Sequence, residues 1–188
     1  MFGLEPIIII FDTEYTSWEG AQERTWSGPG EFKEIVQICA IKIETEDFTE
    51  LDSLKIYIKP VKNPILSEYF KNLTGISQEI VDKEGIGYLE ALNKFKDWCG
   101  DIKVYSWGGD AKVMEENAKL LNIDFPFATD KHGDIRDIFE KSGIEVSKFM
   151  SSTIPTAFGA KSEQIGHDAL NDARSIAQAL RLLKAKGI

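Results

Sequence analysis

The segment Pro6–Tyr15 has the sequence Pro-Ile-Ile-Ile-Ile-Phe-Asp-Thr-Glu-Tyr, an apolar run that ends in two carboxylates. Its β-branched and aromatic residues are typical of a strand that is buried on both faces, in the middle of a covered sheet. Because strand side chains alternate between faces, we expect Asp12 and Glu14 to project together at its carboxyl end, where α/β sheets bind ligands. Paired carboxylates suit Mg²⁺ or Mn²⁺, and a strand that ends in solvated acids is the alternative.

The composition predicts one α/β domain over residues 1–188 that is acidic overall. Of the 188 residues 43% are hydrophobic, and the formal net charge is −9. That charge disfavours broad electrostatic capture of duplex nucleic acid. No apolar run is long enough to cross a bilayer and no secretory signal is evident, so we expect no membrane association and a cytoplasmic location. Cys39 and Cys99 lie in apolar stretches and are predicted to be buried free thiols.

The remaining pattern predicts a mixed five-stranded sheet flanked by helices. Its first three strands are expected to form an antiparallel meander with the third at an exposed edge. The further strands are predicted over Glu34–Glu44, Leu54–Pro60, Ile102–Trp107 and, for a short fifth, within Phe125–Thr129. Helices are predicted over Ser67–Leu73, from Ser77, over Leu89–Cys99, from Asp110 to Leu121, from Asp134, and from Asp168 to about Lys186. Ser77 and Asp168 are the predicted N-caps of their helices. In the third helix Leu89, Leu92, Phe95 and Cys99 share the apolar face by their spacing.

A polar and aromatic segment at residues 16–32 follows the first strand and is predicted to be an insert loop. Loops of this length beside a site are commonly binding loops or partly disordered. Trp18 and Trp26 within it suit either of two roles. They stack on nucleic acid bases, or they fold back as a local hydrophobic lid.

Three residues far along the chain are candidates to join Asp12 and Glu14. Asp110 opens a helix, where it is either a site carboxylate or an N-cap. Asp172 shares a helix face with apolar residues, so it points inward and requires a cation or strong donors. His167 precedes that helix and reaches the site only from the loop or the first turn; a surface loop residue is the alternative.

Together these acids resemble the motifs of the DEDDh family of 3′-to-5′ exonucleases, over nearly the whole chain. Asp12-Thr13-Glu14 is similar to the first motif, Ser106 to Asp110 to the second, and His167 to Ala173, which includes Asp172, to the third. The corner formed by Leu73, Thr74, Gly75 and Ile76 resembles a family segment that touches the 3′-terminal nucleotide.

The resemblance implies a ribonuclease-H-like fold and phosphodiester hydrolysis with two divalent cations, Mg²⁺ or Mn²⁺. By this resemblance Asp12 bridges both cations, Glu14 and Asp172 hold the nucleophile-side cation, and Asp110 supports the other. His167 is the implied general base. Residues expected to contact substrate are Thr13, Leu73, Thr74 and Ile76.

The predicted function is therefore a metal-dependent 3′-to-5′ exonuclease acting distributively on single-stranded 3′ ends or short oligonucleotides. RNA is slightly favoured over DNA, and a homodimer is left open. Two alternatives stay open: a metal-dependent phosphoesterase acting on a small nucleotide, and a non-catalytic subunit that binds nucleic acid or a polymerase. All four acids and His167 are present, which disfavours the non-catalytic subunit, because a degenerate site would lack some of these residues.

Overall fold

The computed structural model describes residues 2–127, 131–161 and 168–187. Its centre is a mixed five-stranded sheet with the strand order β3-β2-β1-β4-β5. The strands are β1 (Ile7–Tyr15), β2 (Ile35–Glu44), β3 (Glu50–Tyr57), β4 (Val104–Ser106) and β5 (His132–Asp134). The first three are antiparallel neighbours, whereas β4 runs parallel to both β1 and β5. The predicted fold class, with its meander and central first strand, is confirmed.

Six α-helices surround this sheet in the described part of the chain. They are α1 (Glu68–Thr74), α2 (Gln78–Glu84), α3 (Tyr88–Cys99), α4 (Asp110–Leu120), α5 (Arg136–Lys141) and α6 (Ala169–Ala185). Ser67, Ser77 and Asp168 cap the amino ends of α1, α2 and α6 through their side-chain oxygens. These caps satisfy backbone N–H groups that a helix leaves without partners, as the sequence predicts for Ser77 and Asp168.

The alternation of side chains along β1 divides the core into two layers. Ile8 and Ile10 are fully buried on the face that packs against α6, while Ile9 and Phe11 are buried against α3 and α4. Burial of about 25 cal/mol per Å² of apolar surface stabilises both layers. Asp12 continues the row of Ile8 and Ile10, so its carboxylate emerges on the α6 side of the sheet.

The prediction of a fifth strand within Phe125–Thr129 is wrong for its described part, Phe125 to Phe127, and Ala128 and Thr129 lie outside the described residues. The strand lies further along at His132–Asp134, where it pairs with Val104–Ser106. Phe125 and Phe127 instead turn their rings into the core, and the ring of Phe127 lies 5.4 Å from that of Phe95. Aromatic packing has replaced strand pairing in this segment.

Two smaller expectations have different outcomes. Cys39 and Cys99 are buried free thiols, as predicted. Leu89, placed on the inward face of the third helix by its spacing, is instead 50% exposed, and Tyr88 is the buried residue at that end. The tyrosine hydroxyl donates a hydrogen bond to the carbonyl of Met114, which fixes α3 to α4.

The insert at residues 16–32 is fixed to the loop that follows β3. Glu34 is 2% exposed, and its carboxylate accepts hydrogen bonds from the backbone N–H groups of Val61, Lys62 and Asn63. The side chain of Asn63 in turn donates to the carbonyl of Gly30 and accepts from the N–H of Phe32. A buried carboxylate therefore ties the end of the insert to a second loop.

We expect Glu34→Gln to lower the free energy of unfolding by about 2 kcal/mol, because a buried charge-assisted acceptor is replaced by a neutral amide. For a chain of this size that corresponds to a fall in Tm of roughly 4–8 °C. Thermal unfolding followed by circular dichroism measures the change. Glu19→Gln, at an exposed acid of the same region, is the control and should leave Tm unchanged. Equal effects in the two variants would contradict the importance of this carboxylate.

Candidate active site

The site begins at the carboxyl end of β1, where two acids lie close to a third from α6. Asp12 is 8% exposed and Glu14 is half-buried. One carboxylate oxygen from each of Asp12, Glu14 and Asp172 lies within 4.8 Å of the other two. The spacing of the first two along one strand thus brings them together, as the sequence predicts.

The amino end of α6 brings Asp172 to this point. Asp168 caps the helix by accepting from the N–H groups of Leu170 and Asn171, and Lys55 on the edge strand contacts its other oxygen at 3.1 Å. Asp172 follows one turn later and is 6% exposed. Its carboxylate accepts a hydrogen bond of 3.2 Å from the hydroxyl of Ser151.

Asp110 comes to the same cavity from the start of α4. The helix cap is Gly109, so the alternative of Asp110 as an N-cap is wrong. Instead its Oδ1 accepts a hydrogen bond of 2.6 Å from the hydroxyl of Thr13 and another of 3.2 Å from the Thr13 backbone N–H. Thr13, expected only as a substrate contact, therefore holds Asp110 towards Asp12 and Glu14.

A cavity of about 330 Å³ contains all four acids. Five aromatic side chains contribute to its wall, namely Tyr15, Trp26, Tyr69, Trp107 and Phe149. Among the described residues that line it there is no lysine or arginine. The described lining therefore combines a cluster of carboxylates with largely aromatic walls.

Burial and mutual repulsion make this set costly to ionise. Burial, then the charges of Asp110, Asp172 and Glu14, raise the pKa of Asp12 well above its usual range. Burial, and then the charges of Asp172, Asp110 and Asp168, raise the pKa of Glu14 to about 8. The pKa of Asp110 is raised only to about 6, because the hydrogen bonds from Thr13 oppose the effect of burial.

These carboxylates fit a divalent cation. Several hard oxygen ligands converge within a few ångströms, and their mutual repulsion is relieved when positive charge lies between them. Asp12, Glu14 and Asp172 are close enough to share one ion, and Asp110 lies in the same cavity. The cluster thus has the donor chemistry that Mg²⁺ and Mn²⁺ prefer.

The remaining predicted residues divide into three groups. Leu73 lines the cavity. Thr74 and Ile76 are buried and do not line the cavity, and the threonine hydroxyl donates to the carbonyl of Phe70 and accepts from the N–H of Ile76. His167 lies outside the described residues.

Sequence reasoning missed several residues that the fold brings to the cavity. Ser151, Met150 and Phe149 come from the loop before a 3₁₀ helix at Ile154–Phe158, and Tyr69 comes from α1. None of them stands near an acidic motif in the sequence. The only local signal is the polar run at residues 151–153, which gives no direction to a site without knowledge of the topology.

Comparison with known proteins identifies the class of this fold and site. The profile of the exonuclease (RNase_T) family matches residues 9–180 of the chain. The chain therefore belongs to the exonuclease family, whose members are hydrolases of nucleic acid that use divalent cations. The resemblance to DEDDh exonucleases predicted from the motifs is confirmed.

Individual relatives are similar over most of the chain. The probable 3′-5′ exonuclease KapD of Bacillus subtilis is 26% identical over 94% of this chain and 84% of its own length. The human 3′-5′ exoribonuclease 1 is 28% identical over 94% of this chain, which spans only 52% of that relative. The nuclease domain of 3′hExo, a DEDDh family member bound to rAMP, superposes with a TM-score of 0.81, 24% identity and coverage of 96% and 92%.

We expect Glu14→Gln to stabilise the protein in chelator at alkaline pH. The pKa of the Glu14 carboxyl is 4.5 in the unfolded chain and about 8 in the folded protein. The stability that the protonated carboxyl contributes is therefore fully present below pH 4.5 and is lost as the pH rises through 8. The amide does not titrate. At pH 8.5 the variant should exceed the original protein in Tm by roughly 4–8 °C, which corresponds to about 2 kcal/mol.

Thermal unfolding between pH 5 and pH 8.5 in EDTA measures this difference, which should shrink towards pH 5. Glu19→Gln, at an exposed acid, is the control for a change of net charge alone. A lower Tm for Glu14→Gln at pH 8.5 would show that the carboxylates do not repel one another in the fold.

We expect Thr13→Val to lower kcat about 10- to 100-fold, the usual loss when a residue that orients a metal ligand is removed. Valine keeps the shape and the backbone N–H but lacks the hydroxyl that donates to Asp110. Thr13→Ser restores that donor and should restore most of the activity. Isothermal titration with Mn²⁺ provides a second measurement, in which valine should weaken binding. Equal kcat values for valine and serine would refute this role.

Proposed function

We propose that this protein is a 3′-to-5′ exonuclease that removes nucleotides from single-stranded or short nucleic acids with two divalent cations, and that it prefers RNA to DNA. The observation that carries the proposal is the convergence of four acids from three distant parts of the chain in one cavity. Membership of the exonuclease family supports the activity. The RNA preference rests on relatives such as the human 3′-5′ exoribonuclease 1.

Each acid has a proposed role that the family resemblance implies. Asp12, which shares the cavity with Glu14, Asp110 and Asp172 and whose pKa is raised by all three charges, would be the ligand shared by both cations. Glu14 and Asp172 would complete the ligand set of the cation on the side of the attacking water. Asp110 would hold the other cation, and the hydroxyl of Thr13 orients the Asp110 carboxylate. When bound, the two cations supply the positive charge that stabilises the attacking and leaving oxygens.

The protein groups orient the reactants around that charge. The aromatic wall and Leu73 would hold the terminal nucleotide, and the hydrogen bond between Thr74 and the N–H of Ile76 would fix the corner that follows Leu73. His167 is the proposed general base that accepts a proton from the attacking water. Because the described lining has no lysine or arginine, recruitment of the phosphate depends on bound cations.

The wider predictions are proposed with the same function. Residues 1–188 form one exonuclease domain with the insert at about 16–32. Within the described part of the chain no helix has both the length and the apolarity to cross a membrane. A cytoplasmic location and a homodimer stay predictions.

We expect Asp12→Asn to abolish shortening of a 5′-labelled single strand, with a loss of activity of at least about 10³-fold, because a shared ligand is removed. Matched RNA and DNA oligomers are incubated with Mg²⁺, Mn²⁺ or EDTA and resolved by length. The original protein should produce a ladder that shortens from the 3′ end, faster for RNA and absent in EDTA.

Asp101→Asn is the matched control. Asp101 is fully exposed and precedes β4, at the end of that strand opposite Asp110, so its substitution should leave the ladder intact. Intact oligomers together with hydrolysis of a small nucleotide ester would favour the phosphoesterase. Binding of the oligomers without any hydrolysis would favour a non-catalytic subunit.

A further inference from the structure

We propose that Trp26 of the insert is a stacking platform for an unpaired base of the substrate strand, and that it thereby selects single strands over duplexes. This inference rests on the proposed exonuclease function and names a determinant of its specificity. The sequence left two roles open for this residue, base stacking and a local hydrophobic lid. Four observations favour the first.

The first observation is position. Ser17, Gln22 and Trp26 all come from the insert and line the same cavity as the acids. Trp18, the other tryptophan of the insert, is not among the lining residues. One tryptophan of the pair therefore faces the place where a nucleic acid strand would reach Asp12 and Glu14.

The second observation is that the indole is held rigidly. Its Nε1 donates a hydrogen bond of 2.9 Å to the carbonyl of Thr16. Its ring packs against the ring of Tyr15, with the two centroids 5.5 Å apart and an interplanar angle of 63°. The ammonium of Lys33 lies 4.2 Å from the centroid of the indole ring and adds a cation–π contact that helps to fix it. A ring already fixed in place loses little entropy when a base stacks on it.

The third observation is backbone strain at this residue. Thr25 and Trp26 have φ angles of 53° and 55°, a left-handed conformation that non-glycine residues rarely adopt. Two such residues in succession cost about 1–3 kcal/mol each unless other contacts compensate, and strain of this kind is concentrated at functional sites. A hydrogen bond of 2.8 Å from the Trp26 N–H to the carbonyl of Ala21 closes the strained turn.

The fourth observation is that two further side chains of the cavity lining are largely apolar although they are open to solvent. Tyr69 is 40% exposed and Met150 is 58% exposed, and both line the cavity. Exposed apolar side chains grouped at a cavity mark a binding surface. Since the described lining offers no cationic side chain for phosphates, binding energy from the walls has to come from contacts with bases.

A base presented to such a wall must be unpaired. Stacking uses the π face that every base has, so it tolerates any sequence but requires that the base leave a duplex. The insert is also anchored through the carboxylate of Glu34 and through the hydroxyl of Ser67, which donates to the carbonyl of Ser17 at 2.5 Å. The wall is therefore a fixed part of the cavity, in contrast to a lid.

The test is steady-state kinetics of Trp26→Ala and Trp26→Phe on a single-stranded RNA with Mg²⁺. We expect alanine to raise KM about tenfold and to leave kcat within about threefold, because one stacking contact is lost while the acids are untouched. Phenylalanine keeps a ring but not the donor to Thr16, so it should stay within about threefold of the original KM. If the residue only holds the loop through that hydrogen bond, both variants will behave alike and the proposal is wrong.

Trp98→Phe is the matched control. Trp98 on α3 also has a lysine over its ring, Lys42 at 4.3 Å, and its Nε1 also donates to an oxygen, that of Asp52. It does not line the site cavity. Its substitution should leave KM unchanged, and a rise equal to that of Trp26→Ala would indicate a general loss of structure.

Substrates with a single abasic position identify the partner of the ring. We expect one abasic position near the 3′ end to raise KM for the original protein and to have no further effect in Trp26→Ala, as two changes to one contact are not additive. Additive effects at every position would overturn the proposal. If the original protein does not shorten any oligomer, the proposed function itself fails and this inference fails with it.

Discussion

The main constraint on this structure is the mutual repulsion of four carboxylates that the fold holds in one cavity. Burial and neighbouring charge raise the pKa of Asp12 and of Glu14, so the ionised cluster is unfavourable by itself. Packing elsewhere has to supply the stability that this costs. In return, carboxylates with the donor chemistry that a divalent cation prefers are already gathered in one cavity, so binding of an ion there would require little reorganisation.

The architecture explains how that repulsion is sustained. β1 is the central strand and is buried on both faces, which leaves its carboxyl end little freedom to move. Asp110 and Asp172 come from separate helices, and each accepts a hydrogen bond from a hydroxyl group, that of Thr13 or Ser151. Two neutral donors thus orient the acids that the strand itself does not carry.

The sequence predicts best what depends on local pattern. The buried run of β1, the meander and the cap of α6 at Asp168 follow from side-chain alternation and from capping chemistry, and all are present. The fifth strand was misplaced because Phe125 and Phe127 have strand propensity, but the ring of Phe127 packs against Phe95 and the ring of Phe125 packs against Phe127. Strand propensity alone does not predict a contact with a helix that is distant in the sequence.

The site shows the same division. Asp12 and Glu14 are predictable because they lie on one strand, whereas capping competed as an explanation for Asp110. Its partner Thr13 is 97 positions away in the sequence, so only the folded chain shows that the hydroxyl engages it. Ser151 had no nearby motif to mark it. Residues that act through long-range contacts are thus the ones that sequence patterns leave out.

The register of β1 and β2 also has a chemical consequence. Cys39 lies directly opposite Asp12, beside the acids, and both cysteines of the chain are buried. Burial raises the pKa of the Cys99 thiol to about 12, and burial chiefly raises that of Cys39 as well, so neither sulfur forms the reactive thiolate near neutral pH. Alkylating reagents should therefore spare both native cysteines. A cysteine placed on the surface would carry a fluorophore at one chosen point, without prior removal of the native thiols.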